Sequence, residues 1–263
     1  MRKVLLTGAA GRIGSAFRSY AADRYDLRLA DIRTDSLDTP PVGEVVQLQI
    51  ADLDACRAAC QGIDTVLHLA ADPGTGSGFY ESYLDNNVKG VYNIFEAARE
   101  AGCRRVVYAS SVQAIEGYPL DAQALTDGAT RPLNIYGACK AFGESIAHVY
   151  AHSHGLSSIA VRIGSFEYNQ AQFSVNSRNL STFVSARDLC QLFVRCIEAE
   201  DVQYAIVHGI SDNRYKRMDL STTRAAVGYQ PQDDAFVKFG VGLTETERWL
   251  REHPLTHSRE AGE

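Results

Sequence analysis

Short apolar runs recur along the chain, separated by longer stretches in which apolar and polar residues mix with a helical period. KVLLTG (3–8), LRLAD (27–31), VVQLQI (45–50), TVLHLA (65–70), RRVVYASS (104–111) and SIAVRIGS (158–165) have strand length and little charge. Helix-like segments lie between them, at about 12–24, 53–61, 81–102 and 136–154. Near-continuous apolar strands that alternate with helices predict a parallel sheet covered on both faces. The expected fold class is α/β, a doubly wound parallel sheet of Rossmann type, with ligands at the carboxyl ends of the strands. After residue 165 the alternation fails, and FEYNQAQFSVNSRNLSTF (166–183) is polar and aromatic without a period. A helix (186–199), a strand-like YAIVHG (204–209) and a helix near 219–227 follow. The expected division is a main α/β domain over 1–165 and a small C-terminal lobe and tail over 166–263 that does not fold alone.

Composition narrows the class. At 263 residues, 45% hydrophobic and 22% charged, the chain suits a globular enzyme or binding domain. A net charge of −6 gives no electrostatic reason to expect nucleic acid or an anionic membrane as partner, and no apolar run is long enough to span a bilayer. The six cysteines, Cys56, Cys60, Cys103, Cys139, Cys190 and Cys196, lie in apolar or helical contexts without a C-x-x-C pair. They read as free thiols of a reducing cytoplasm. The seven histidines are scattered, and no metal site is expected.

TGAAGRIG places Gly8, Gly11 and Gly14 between the first strand and the first helix. There the glycines permit a tight turn, close backbone approach to a pyrophosphate, and close helix–strand packing. The helix N-terminus then offers N–H groups and a positive dipole end to phosphates. Asp31 ends the second strand, where a carboxylate accepts hydrogen bonds from the ribose hydroxyls of adenosine and repels a 2′-phosphate. The expected cofactor is NAD rather than NADP, a preference that Arg33 softens. NIYGACKAFGES (134–145) sets Tyr136 and Lys140 one helical turn apart. In a chain with 13 tyrosines that spacing alone carries little. Tyrosine has a pKa of about 10, and lowering it by about three units needs roughly 4 kcal/mol of preferential phenolate stabilisation. A lysine one turn away and a positive nicotinamide can supply it. A serine ending the fifth strand, Ser110 or Ser111, can hold the reacting oxygen.

The combination of TGAAGRIG, ADL (51–53), HLAA (68–71), NNVKGVYNIFEAA (86–98), YASS (108–111) and YGACK (136–140) resembles the extended, epimerase-like branch of the short-chain dehydrogenase superfamily. The resemblance covers roughly residues 1–165. It implies Ser111, rather than Ser110, as the partner of Tyr136 and Lys140 in a catalytic acid/base set, with Lys140 also bonding the nicotinamide ribose. It also implies that Arg12 and Ile13 lie against the pyrophosphate and that Asp52 and Leu53 flank the adenine. Leu69, Ala70 and Ala71 would line the cofactor, with Asn87 beside it and Ile163 near the nicotinamide. Read without the family, Asp52 is equally a helix N-cap, and His68 is a core histidine.

RLAD (28–31), YGACKAFGE (136–144), VRIGS (161–165) and RNLSTF (178–183) are similar to the corresponding segments of uronate dehydrogenases. Those enzymes use NAD to oxidise the anomeric carbon of a hexuronic acid to a lactone. The likeness makes Arg178 the clamp of the substrate carboxylate and places Ser165 on the sugar hydroxyls; without it Arg178 is an ordinary loop arginine. It also exposes a departure: Val112 and Gln113 stand where that family carries Asn-His. The implied function is an NAD-dependent dehydrogenase of a small sugar acid or polyol, forming a homo-oligomer through its long helices. Two alternatives remain open: an epimerase or dehydratase that recycles its cofactor within one turnover, and a non-catalytic NAD-sensing regulator.

Overall fold

The protein is represented by a computed structural model, and the structure describes residues 1–38, 40, 42–119, 121–167, 173–242, 249 and 252. In chain order it runs β1 (Lys3–Thr7), α1 (Arg12–Ala21), β2 (Asp26–Asp31), β3 (Gly43–Gln47), α2 (Leu53–Cys60) and β4 (Thr65–His68). A π-helical segment (Phe79–Lys89) leads directly into α3 (Gly90–Glu100), followed by β5 (Arg105–Ser111), a 3₁₀ turn (Val112–Ile115), α4 (Ile135–His154) and β6 (Ser157–Ile163). Then come β7 (Ser165–Phe166), α5 (Ser177–Thr182), β8 (Phe183–Val184), α6 (Ala186–Glu198), β9 (Tyr204–Gly209), α7 (Ser221–Val227) and α8 (Ala235–Lys238).

Seven strands form one parallel sheet in the order β3-β2-β1-β4-β5-β6-β9. Every residue of β5 and β6 is buried, because helices cover both faces, and this is why the middles of those strands, Val106–Ala109 and Ile159–Val161, read as apolar runs. On one side Phe17 of α1 meets Phe193 of α6 edge-on at 5.9 Å, while on the other Phe95 of α3 lies 5.4 Å from Tyr150 of α4. The chain leaves β1 in one direction through β2 and β3, then returns to place β4 on the other side of β1. That reversal opens a crevice above the carboxyl ends of β1 and β4, the position where open α/β sheets bind ligands.

The sheet does not stop at residue 165. β9 pairs with β6 in parallel register, Ser158 opposite Tyr204 through Ile163 opposite Gly209, and α6 packs on α1. Residues 186–209 therefore belong to the main body. The lobe reduces to the short β7–β8 ladder, α5 and α8 around Leu180, Phe183, Ala235 and Phe236. Phe173 stacks on Phe239 there at 4.9 Å. The aperiodic stretch 166–183 contains α5, capped by Asn176 accepting from Asn179 N at 2.8 Å. A six-residue helix is too short to display a period. The tail 253–263 lies outside the described residues. Among the described residues no helix is long and apolar enough to cross a membrane, and all six cysteines are free and buried.

One buried ion pair fastens α4 to the sheet. Arg162 on β6 donates from Nε and Nη2 to the two carboxylate oxygens of Glu144, each at 2.8 Å, and Ser110 Oγ on β5 donates to the same carboxylate at 2.6 Å. Glu144 stands two turns beyond Tyr136 on the same helix, so the pair holds the helix that carries the expected chemistry.

Candidate active site

A cleft of about 720 Å³ opens above the carboxyl ends of β1, β2, β4, β5 and β6. Gly8, Gly11, Arg12, Ile13 and Gly14 form its floor at the β1–α1 turn. Gly8 has a φ of +73°, and a Cβ there would come within 2.8 Å of the backbone nitrogen of Ala70. A Cβ on Gly14 would sit 2.2 Å from the carbonyl oxygen of Gly8. The first turn of α1 has no side-chain cap at Gly11 and faces the cleft. This is a cradle shaped for a phosphate group.

Asp31 stands at the end of β2 beside that cradle. Its Oδ2 accepts from Ala10 N at 2.9 Å and its Oδ1 from Arg33 N at 3.1 Å, which fixes the carboxylate while leaving a second lone pair on each oxygen. Arg33 braces Asp31 through its backbone. Leu69, Ala70 and Ala71 line the cleft as expected from the sequence, and so does Ile163. The glycine cradle and the braced carboxylate fit NAD.

Three expected cofactor contacts lie elsewhere in the structure. Asp52 caps α2 by accepting from Asp54 N and Ala55 N at 3.0 and 3.1 Å, and neither it nor Leu53 lines the cleft. Leu48, Gln49 and Ile50 form that wall instead. Asn87 is buried and exchanges two hydrogen bonds with the backbone of Asp72, at 2.8 and 3.0 Å, so it supports the loop after β4 while Asn86 reaches the cleft. The same loop is tied down by Tyr83, whose Oη donates to the carbonyl of Gly74 and accepts from Ser77 N at 3.2 Å. His68 is a core residue, its Nδ1 2.8 Å from Thr7 Oγ1, and burial holds it down to about 3.

At the far end of the cleft stand Ser111, Tyr136 and Lys140. α4 begins there because Asn134 caps it, accepting from Gly137 N at 2.8 Å. Asn134 in turn donates to Gln113 Oε1 at 2.9 Å. Ser110 Oγ is taken by Glu144, while Ser111 stands in the cleft with Tyr136 and its Oγ accepts from Gln113 N at 3.2 Å. Lys140 is buried, its Nζ donating to the carbonyl of Ala109 at 2.7 Å and lying 5.5 Å from the centre of the Tyr136 ring.

The electrostatics differ from the sequence expectation. Burial pushes the Tyr136 phenol up to about 12; the Ser111 hydrogen bond acts against this, and neighbouring Tyr83 and Asp72 add to it. The same burial brings Lys140 down to about 8. Desolvation is the largest cause for both groups.

The Lys140 shift has a sign that can be measured. Its folded-state value lies below the ordinary 10.5. Between pH 8 and 10.5 the unfolded chain therefore carries a proton that the folded chain has released, and stability rises with pH through that window. Relative to Lys140→Met, wild-type protein without cofactor is expected to gain unfolding midpoint steadily from pH 8 to pH 10, by denaturant titration. A gap that stays constant or narrows contradicts this environment for Lys140.

The expected substrate residues divide. Val112 is buried in the hydrophobic core, and Gln113 spends its side chain on Asn134, so neither lines the cleft. Ser165 adjoins Gly164 and Phe166 of the cleft wall and shares its Oγ with Arg178 Nη1 at 2.9 Å and Thr182 Oγ1 at 2.9 Å. Arg178 lies in an ion pair with Glu116, 2.7 Å from Nη2 to Oε2. Sequence reasoning missed Glu116, Asn86, Pro73, Gly74 and Phe166. Asn86 opens the NNVKGVYNIFEAA segment, where the resemblance pointed to its neighbour Asn87; the other four stand in no motif, and Glu116 meets Arg178 across 62 positions of chain.

Comparison with known proteins agrees with this geometry. The chain is 36% identical over 251 residues to an NAD-dependent glucose-6-phosphate dehydrogenase of Haloferax volcanii, covering 88% of this chain and 94% of that one. It is 35% identical over 234 residues to a uronate dehydrogenase of Pseudomonas putida, covering 89% and 85%. Among solved structures, the uronate dehydrogenase from Agrobacterium tumefaciens matches with a TM-score of 0.83 at 34% identity, covering 94% of this chain and 89% of that one. A mutant of that enzyme has been solved in complex with NAD. Residues 4–187 match the family described as NAD dependent epimerase/dehydratase, and they span the glycine cradle, Asp31, Ser111, Tyr136, Lys140 and Arg178. The chain belongs to the NAD-dependent epimerase/dehydratase family.

Proposed function

We propose that the protein is an NAD-dependent dehydrogenase that oxidises a carbinol carbon of a small sugar-type substrate. The observation that carries this reading is that Ser111, Tyr136 and Lys140 face the same cleft as the glycine cradle and Asp31. Gly8, Gly11 and Gly14 with the first turn of α1 hold the pyrophosphate, and Asp31 holds the adenosine ribose. NAD, when bound, supplies the hydride acceptor and a positive charge beside Tyr136.

Ser111 Oγ orients the substrate hydroxyl toward Tyr136 Oη. As the carbinol C–H bond breaks with hydride loss, the O–H proton passes to the Tyr136 phenolate and a carbonyl forms. Lys140, one turn below, stabilises the phenolate and bonds the nicotinamide ribose. The phenol that burial raises must be brought down for this step, so the cationic surroundings of the loaded site have work to do at Tyr136. Leu69, Ala70, Ile163 and Phe166 give the cleft apolar walls.

The test is formation of NADH, followed by its absorbance, with hexoses, hexuronates and polyols at saturating NAD. Stoichiometric NADH with at least one of these sugars is expected. An isomerised or dehydrated sugar without net NADH would instead establish the epimerase or dehydratase alternative, and NAD binding without turnover on any of them would point to a sensor.

A further inference from the structure

Arg178 would have to offer a free guanidinium edge to clamp a substrate carboxylate, and the structure gives that edge to the protein itself. Its Nε and Nη2 face the carboxylate of Glu116 at 3.2 and 2.7 Å. Its Nη1 donates to Ser165 Oγ at 2.9 Å and to Asn179 Oδ1 at 3.0 Å. The paired, planar contact by which arginine recognises carboxylates is thus already made internally. Glu116 is firmly kept in place. Arg217 Nη1 donates to its Oε1 at 2.8 Å, while Arg217 Nη2 donates to the carbonyls of Glu116 and Tyr118 at 2.8 and 3.1 Å. Glu116 is 9% exposed and Arg217 5%. Burial alone would raise the Glu116 carboxyl, but the two guanidiniums hold it below the usual range and keep it ionised.

The consequences for a ligand follow from which donors of Arg178 are already in use. Arg178 and Arg217 share the single carboxylate of Glu116, so what a ligand carboxylate lacks at Arg178 is a free paired edge of the guanidinium rather than positive charge. A substrate carboxylate brought to Arg178 would stand beside the Glu116 carboxylate and share one guanidinium with it. Val112 and Gln113 provide no substitute, being committed to the core and to the α4 cap.

We propose that Glu116 is a specificity-determining residue, acting through Arg178 to close this site to substrate carboxylates and to make a neutral sugar or polyol the class oxidised. The proposal rests on the dehydrogenase reading above.

The test compares galactose with galacturonate and glucose with glucuronate, pairs that differ by CH₂OH against COO⁻ at one carbon. kcat and KM are measured at saturating NAD for the wild type and Glu116→Gln. Calorimetric binding of the same sugars is measured in the Tyr136→Phe background with NAD. The wild type is expected to favour each hexose in kcat/KM. Glu116→Gln is expected to raise the hexuronate-to-hexose ratio about tenfold or more through KM, with kcat for the hexose changed by less than about threefold. A wild type that favours hexuronates about tenfold, or a ratio unmoved by Glu116→Gln, overturns the proposal. Should Glu116→Gln fail to fold, Arg178→Gln decides: equal losses on both sugars of a pair support the proposal, and a loss confined to the hexuronate overturns it. A shifted binding ratio without NADH keeps the role of Glu116 and removes the dehydrogenase reading. NADH formation with an unshifted ratio removes the role of Glu116 alone, and sugars that neither bind nor react overturn both.

Discussion

Replacing Tyr136 with phenylalanine is expected to lower kcat by about a hundredfold or more while leaving NAD affinity within a few-fold of wild type. The change deletes only the phenolic oxygen, and the ring keeps its place near Tyr83, 6.4 Å between centroids. In the proposed reading the pyrophosphate and adenosine are held by the glycine cradle and Asp31 and the nicotinamide ribose by Lys140, and none of these contacts uses that oxygen. What disappears is the proton acceptor, and removal of a positioned general base costs typically about 10²–10⁴ in rate. The pH profile gives a second reading. Because burial pushes the phenol up, wild-type turnover should rise toward alkaline pH as the phenolate forms, whereas the residual rate of the variant should lose that dependence. NADH formation and NAD titration measure both quantities. Near-normal turnover in the variant would remove Tyr136 from the mechanism.

Glu144→Ala is expected to destabilise the protein by about 3–5 kcal/mol, the scale for leaving one partner of a buried ion pair without its counter-charge. Arg162 and Glu144 side chains are 1% and 3% exposed, and the carboxylate accepts three hydrogen bonds. Alanine strands a guanidinium inside the sheet–helix interface and leaves Ser110 without its acceptor. The double substitution Glu144→Leu with Arg162→Met should recover most of the loss, because removing both charges removes the desolvation cost along with the attraction. Denaturant unfolding of the two single variants and the double variant makes the comparison. If Glu144→Ala costs less than about 1 kcal/mol, the pair does not fasten α4 to the sheet in solution. At temperatures where the variant remains folded, its turnover reports whether the fastening also positions Tyr136.

The fate of the two serines in YASS shows how far local pattern reaches. Strand alternation requires that Ser110 and Ser111 point to opposite sides, and it says nothing about which side holds the chemistry. The answer comes from Glu144, 34 positions away, which takes the Ser110 hydroxyl and leaves Ser111 in the cleft with Tyr136. Gln113 is a similar case. Its side chain is polar and adjacent to the site in sequence, yet the cap residue Asn134 claims it. Asp52 and Asn87 likewise serve helix and loop, because a free backbone N–H or carbonyl nearby is a closer partner than the cleft.

The main strands and helices up to β6, their order, and the glycine turn followed by Asp31 were legible in the sequence alone. Strand and helix periods, a glycine forced to positive φ at Gly8, a carboxylate ending β2 and the Tyr136–Lys140 spacing all depend on residues within a turn or two of one another, so they are written locally. Tertiary structure alone decided that β9 completes the sheet, that burial raises the phenol and lowers the lysine together, and that Arg178 is paired with Glu116. Each of these turns on contacts between distant segments. The charge that a substrate meets at Arg178 is set by residues 62 and 101 positions apart, Arg178 with Glu116 and Arg217 with Glu116, which no local pattern brings together.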